Sequence, residues 1–294
     1  MDKHRLRNDQ AEATIAPLGA ELQGLHLRGL DLLWEAGPLW PRHAPLLFPV
    51  VGALAGDQLR HQGRSYPMPK HGFARDLAFT WTRRDETACS LELWDDATTR
   101  ASYPFAFQLS VSYALEGAAL RMDLALHNPG PEPLPASLGL HPAFRWPLAP
   151  GLPSGTHRLV FDQAEPGPLR RLDTQGLLRQ EAHSTPIHDR VLDLREDLFQ
   201  DDALLFLETQ SRALRFEAEG GPTLRLQWEG FPHLGVWTKP HLGPEGTSAF
   251  LCIEPWQGYA DPEGFNGEFA EKPGSFLVEP GGTKAWSFLV GIEP

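Results

Sequence analysis

Along much of the chain, apolar and polar residues alternate one by one, the period of a strand with one buried face. In "FQLSVSYALE" Phe107, Leu109, Val111, Tyr113 and Leu115 point one way, and Gln108, Ser110, Ser112 and Glu116 the other. Gly117 marks a turn, after which Leu120, Met122, Leu124 and Leu126 alternate with Arg121, Asp123 and His127. "ALRFEAEGGPTLRLQW" repeats the pattern, with Leu214 and Phe216 before a Gly220-Gly221-Pro222 turn and Leu224, Leu226 and Trp228 after it. A third hairpin is predicted from Phe79 and Trp81 through Asp85-Glu86 to Leu91 and Leu93, and a fourth joins "SFLVEP" to "KAWSFLVGI" across a Gly-Gly pair.

Helix signals are sparse. With 28 Gly and 28 Pro in 294 residues, breakers come too often for long helices, and the segment 185–199, interrupted by Pro186, supports at most a short helical turn. No internal repeat is visible, which sets aside propellers and solenoids. The Pro-rich "HNPGPEPLPASLG" reads as a loop between strands, because strand-like segments continue on both sides. The pattern predicts an all-β protein: one large antiparallel β-sandwich domain over residues 1–294, with function on its loops and on one concave sheet face.

A formal net charge of −12 argues against nucleic acid or an anionic membrane as a partner. The basic pairs Arg83-Arg84 and Arg170-Arg171 are isolated and read as solvated faces. Cys89 and Cys252 show no bridge-forming or metal-binding spacing, and reduced, buried thiols fit a cytoplasmic protein. The N-terminal "MDKHRLRNDQAEATI" has no apolar core of a secretory signal, and the apolar run around "APLLFPVVGALAG" is too short to span a bilayer.

Three polar positions stand in apolar or turn-rich frames. His71 lies in "MPKHGFARD", where Gly72 permits close backbone approach and Phe73 can anchor the loop; its plain alternative is a loop histidine bonded to backbone. His141, in "SLGLHPAFRWPL", is flanked by apolar residues and needs a hydrogen bond or a function to be buried there. Glu254 ends the buried-looking run Phe250, Leu251, Cys252 and Ile253, with a strand stop expected at Pro255; such a carboxylate needs a partner or a raised pKa. Trp256 beside it offers an apolar face on which a sugar ring could stack, or belongs to the core. His/His/Glu is a known metal set, but no two of these residues have short metal-ligand spacing, and neither a GxSxG elbow nor a phosphate loop is present. Metal-free and cofactor-free acid–base catalysis is the simplest use of the three.

Five segments, "RHAPLLFPVVG" (42–52), "YPMPKHGFARD" (66–76), "LGLHPAF" (138–144), "LFQDDALLF" (198–206) and "LCIEPWQGYAD" (251–261), resemble in content and order the aldose 1-epimerase (galactose mutarotase-like) family, in its branch with an HGFARD motif. The resemblance implies a twisted β-supersandwich. It also implies Glu254 as general base, His141 as general acid, His71 as a second catalytic or sugar-orienting histidine, and Asp202 as a sugar-binding aspartate. Many relatives carry a sugar-binding arginine near 53; here Ala53 stands in that stretch, with Arg60 the nearest substitute. Arg42 and Arg75 resemble positions that hold the phosphate in the hexose-6-phosphate mutarotase branch; the plain alternative for Arg75 is a loop-fixing pair with Asp76. The expected activity is anomer interconversion of a hexose by acid–base ring opening. A hexose-6-phosphate mutarotase and a non-catalytic carbohydrate-binding protein of the same fold are the alternatives. Oligomeric state is left open.

Overall fold

The computed structural model describes residues 2–239 and 249–293. Its strands pair antiparallel throughout, as the alternation demands, and two large sheets dominate. The nine-stranded sheet runs, in spatial order, Val191–Asp193, His157–Phe161, Ala213–Ala218, Thr223–Glu229, Thr283–Ile292, Ala119–His127, Gln108–Leu115, Ala88–Trp94 and Thr80–Arg84. The eight-stranded sheet runs Leu178–His183, Leu169–Leu172, Leu204–Phe206, His233–Trp237 and Phe250–Gln257; both Leu138–Leu140 and Ala143–Arg145 flank the last of these, and Leu46–Leu47 closes the edge. A four-stranded sheet is built from residues 4–31. The expected β-sandwich is the architecture found.

Three of the four predicted hairpins form. The first pairs Gln108–Leu115 with Ala119–His127 around Gly117, the second Ala213–Ala218 with Thr223–Glu229, and the third Thr80–Arg84 with Ala88–Trp94. The fourth does not. Phe276–Val278 pairs instead with Leu134–Ala136, inside the Pro-rich segment read as loop, while Thr283–Ile292 lies between Ala119–His127 and Thr223–Glu229. Asn128 forces the two apart. Its side chain donates to the carbonyls of Val278 and Glu132, and its backbone exchanges hydrogen bonds with Gly281 and Gly282, so the Gly-Gly turn is tied to a neighbouring loop. In the segment 185–199, a short strand Val191–Asp193 precedes a single 3-10 turn, Glu196–Phe199.

The eight-stranded sheet has two differently used faces. Leu46, Leu138, Leu140, Leu204, Phe206, Leu234, Val236, Leu251 and Ile253 turn toward the main core shared with the nine-stranded sheet. The alternate positions Leu47, Leu205 and Trp256 belong to a separate cluster on the opposite face. The two-residue period of a strand therefore sends Cys252, Glu254 and Trp256 to that second face. Trp256 lies there between glycines: a Cβ on Gly139 would stand 2.5 Å from its Cδ1, and one on Gly235 2.6 Å from its Cη2.

We expect Gly139→Ala and Gly235→Ala each to lower stability by about 1–3 kcal/mol, the usual penalty for overpacking a buried contact. Denaturant unfolding checks this, and a neutral result for both would show that the indole has room to move.

Candidate functional site

The strand Phe250–Gln257 does not stop at Pro255, as the sequence suggested, but continues through it opposite Leu234. A proline is tolerated because the ladder on its other flank is already interrupted. Ile253 donates to the carbonyl of Pro142 (3.3 Å), so an N–H at 255 would point toward the same flank, and neither Pro142 nor Pro255 has one to give. The register is the same on both sides of the interruption, with Leu138 opposite Gln257, Gly139 opposite Trp256 and Ala143 opposite Cys252. It therefore sets His141 directly across from Glu254, side chains on one face. On the other flank Gly235 faces Glu254 and takes up no space. His141 Nε2 and Glu254 Oε2 are 3.1 Å apart.

This pair sits in a cavity of about 240 Å³. All seven residues singled out in the sequence, Glu254, His141, His71, Asp202, Arg75, Arg42 and Trp256, line it. A larger hollow of about 540 Å³ on the outer face of the nine-stranded sheet is shallower, and none of the titratable side chains lining it is buried. The smaller cavity is the one lined by buried titratable groups.

Glu254 is 1% exposed and His141 8%. Burial pushes the Glu254 carboxyl well above the usual carboxylate range, with the negative charge of Asp202 adding to the rise and Lys70 opposing it. Burial likewise lowers the His141 imidazole to about 3, reinforced by Arg75, Lys70 and Arg42. The ordinary values near 4.3 and 6.5 thus do not apply here: dry surroundings favour a neutral carboxylic acid beside a neutral ring. Glu254 Oε2, His141 Nδ1 and Trp256 Nε1 are buried and make no hydrogen bond that meets geometric criteria among the described residues. Three unsatisfied polar atoms around one cavity are what a polar ligand would satisfy.

His71 approaches from the loop after Arg64–Pro67. Both it and Gly72 are left-handed, at φ 68° and 70°. A Cβ on Gly72 would lie 2.2 Å from the carbonyl oxygen of Phe48, so only glycine fits. His71 exchanges two bonds with Gly52: its backbone N–H donates to the Gly52 carbonyl (2.8 Å), and its Nδ1 accepts from the Gly52 N–H (3.1 Å). An accepting Nδ1 leaves the proton of the neutral ring on Nε2, so His71 presents a donor. Burial, then the neighbouring His141 and the three cations Lys70, Arg75 and Arg42, hold its pKa well down.

The two arginines are already engaged. Arg42 Nη2 bonds Asp76 (2.8 Å), and Arg75 Nη2 donates to the Lys70 carbonyl (2.7 Å) with Asp76 at 3.7 Å from its Nε. Lys70 itself lines the cavity, and its ammonium forms no ion pair or hydrogen bond among the described residues. Arg60 does not line the cavity, whereas Lys70 does. Trp256 is 6% exposed, floor more than stacking platform. Trp40, which sequence reading passed over, stacks on His141 at 5.0 Å, and Trp237 meets the same ring edge-on at 5.9 Å. Trp237 was readable from the alternation of "HLGVW"; Trp40, in an irregular loop, had no such signal.

A scan for shared family features matches the aldose 1-epimerase model over residues 2–276. The chain belongs to the aldose 1-epimerase family. It is 28% identical to Protein LacX of Lactococcus lactis subsp. lactis, over 98% of each chain. Among solved structures, a galactose mutarotase related enzyme from Lactobacillus acidophilus superposes with a TM-score of 0.89 at 27% identity, covering 100% of this chain and 98% of that one. A galactose mutarotase-like protein from Lactobacillus casei gives 0.89 at 26%, covering 99% and 100%. The family resemblance carried by the five motifs is thereby established, and with it the fold.

One further arrangement in this aldose 1-epimerase family member concerns metals. His141, Cys252 and Glu254 bring a ring nitrogen, a thiol and a carboxylate within 4.8 Å of one another. Cys252, however, packs with Trp34, Ala143 and Phe250, and burial there pushes its thiol well up. The thiol thus belongs to an apolar cluster of the site's wall. Both cysteines are buried and unbridged, and no helix among the described residues is long and apolar enough to cross a membrane.

Proposed function

We propose that this protein is an aldose 1-epimerase that interconverts the α and β anomers of a free hexose, with Glu254 and His141 exchanging protons with the sugar. The observation that carries the reading is the buried 3.1 Å contact between these two groups, in a cavity below drug-ligand size with unsatisfied polar atoms around it. Ring opening removes the proton of the C1 hydroxyl, breaks the C1–O5 bond and delivers a proton to O5, leaving an aldehyde. Rotation about C1–C2 and the reverse sequence close the ring on the other face. One proton leaves the sugar as another arrives.

A carboxylic acid beside a neutral imidazole and a carboxylate beside an imidazolium hold the same number of protons and the same net charge, and the two groups stand 3.1 Å apart. The pair acts as a unit. In the ion-pair form Glu254 takes the hydroxyl proton while His141 gives one to O5, which leaves the neutral form; closure restores the first. His71, through Nε2–H, and the Asp202 carboxylate orient the hydroxyls. Each positioned acid or base contributes about 10²–10⁴-fold.

A second reading, a hexose 6-phosphate as substrate, is favoured by one observation: three cations, Arg42, Lys70 and Arg75, stand on the cavity wall. Because Arg42 and Arg75 already hold Asp76 and the Lys70 carbonyl, the free ammonium of Lys70 carries most of that reading.

Three outcomes are expected. Glu254→Gln lowers turnover at least about 10²-fold in polarimetry of freshly dissolved α-glucose or α-galactose, with sugar affinity largely kept; unchanged anomerisation would refute the enzyme reading and leave a sugar-binding protein. The enzymatic part of kcat/KM shows no acid-side limb at the ordinary values of 4.3 or 6.5. It declines on the acid side only as a second proton enters the pair near the His141 value of about 3, and on the alkaline side only above the usual carboxylate range, where Glu254 loses its proton. An acid-side limb at 6.5 would mean a solvated histidine carries the chemistry. Lys70→Met reduces kcat/KM equally on free and 6-phosphorylated sugars if Lys70 reads hydroxyls; a loss confined to the phosphate ester would establish the second reading instead.

A further inference from the structure

The pair Arg170-Arg171 reads in sequence as a solvated basic face, yet Arg171 is turned inward. From the strand Leu169–Leu172 its guanidinium reaches the loop between the 3-10 turn Glu196–Phe199 and the strand Leu204–Phe206. Nη2 donates to the carbonyl of Leu198 (2.8 Å). Nη1 is shared among the carbonyls of Asp202 (2.9 Å), Ala203 (3.2 Å) and, more distantly, Asp201 (3.5 Å). One side chain thus gathers the carbonyls of a whole turn.

The need for it is visible in the backbone. The ladder between the two strands is formed by Leu169 with Phe206 and Arg170 with Leu205, and then stops. Beyond that point the carbonyls of 198–203 have lost their strand partners, and the Arg171 fork takes their place. Asp202 is left-handed at φ 65°, a conformation Asp reaches more readily than most residues with a Cβ, and one that fixes the direction of its carboxylate. Held as it is, Asp202 lines the cavity, close enough to Glu254 to raise its pKa, and its carboxylate has no hydrogen bond or ion pair among the described residues. Ala203 and Leu172, the residues next to the clamped turn and next to Arg171, line the same wall.

We propose that Arg171 is a positioning residue: by binding the carbonyls of Leu198, Asp202 and Ala203 it locks Asp202 in the left-handed conformation that presents its carboxylate to the sugar. The proposal rests on the reading of Asp202 as a sugar-binding group, and touches no reacting atom itself. Lysine keeps the charge at 171 but is a single point donor, and cannot span carbonyls on both sides of the turn.

The test combines Arg171→Lys, Asp202→Asn and the double variant in the full chain, with anomerisation kinetics and backbone amide exchange. Arg171→Lys is expected to raise KM about ten-fold, the order of one lost charged hydrogen bond, with kcat within about two-fold of wild type. Exchange of the amides of 199–204 should accelerate while those of 70–74 do not. Asp202→Asn should raise KM at least as much, and the double variant no further, since the clamp acts only through the carboxylate. Additive KM effects, or faster exchange with KM unmoved, would overturn the positioning role. Unchanged exchange in Arg171→Lys would overturn the clamp itself. An unaltered KM in Asp202→Asn would instead overturn the sugar-binding reading of Asp202, and the exchange data would still report on the clamp.

Discussion

The pocket depends on a broken β-ladder. Two prolines, Pro142 and Pro255, remove backbone donors from the same seam of the eight-stranded sheet while the register runs through unchanged. Within this seam His141 and Glu254 hold the cross-strand position that the unchanged register assigns them, in a surrounding dry enough to pull both away from their ordinary ionisation. Gly235 on one side of Glu254 and Gly139 beside Trp256 are the space-makers that let the large indole floor coexist with the pair.

Around that rigid seam the rest of the site is supplied by loops held in disfavoured conformations, and the same device holds two of them. His71 and Asp202 are both left-handed residues with side chains. Arg75 grips the carbonyl of Lys70, just before His71, and Arg171 grips the carbonyl of Asp202. Arg75 does so with a single bond, its Nε left without a partner, whereas Arg171 spreads its fork over the carbonyls of Leu198, Asp202 and Ala203. Arginines that a charge count would place on the surface, or on a ligand, here serve the backbone.

That distinction explains what could be read beforehand. Regular alternation exposed the three hairpins and the apolar run before Glu254, because period two is a local property. The fourth hairpin failed for the opposite reason: whether Phe276–Val278 pairs with the following strand or with Leu134–Ala136 is decided by Asn128, over a hundred residues away in sequence. The site residues were legible as polar intrusions in apolar frames, His141 and Glu254 above all, and Asp202 through family resemblance. Their relation was not. Nothing local says that 141 faces 254, that Pro255 continues a strand instead of ending it, or that Trp40 covers the imidazole. Arg171 looked solvated because one adjacent arginine is the usual signature of an exposed face, and only the end of a ladder reveals its task.

The dryness of the pair also bears on which chemistry suits it. A buried ion would be costly, and an enzyme that built charge in this cavity would need a counter-ion within it. The proposed anomerisation would build none: a proton enters the sugar as one leaves, so the net charge of the Glu254–His141 pair would be the same before and after ring opening. Low dielectric then strengthens the contacts to transferring protons without penalising a net charge. A phosphorylated sugar would add charge, but at the end of the substrate remote from C1. Of the cations, Lys70 is exposed and the Arg42 side chain 31% exposed, so solvent shares in their stabilisation, while the Arg75 side chain is only 18% exposed. The cavity thus sets a buried Glu254–His141 pair apart from a charged, wetter wall. On the proposed reading, such a division would accommodate either substrate class on one pair, leaving the choice between them to the residues of the wall.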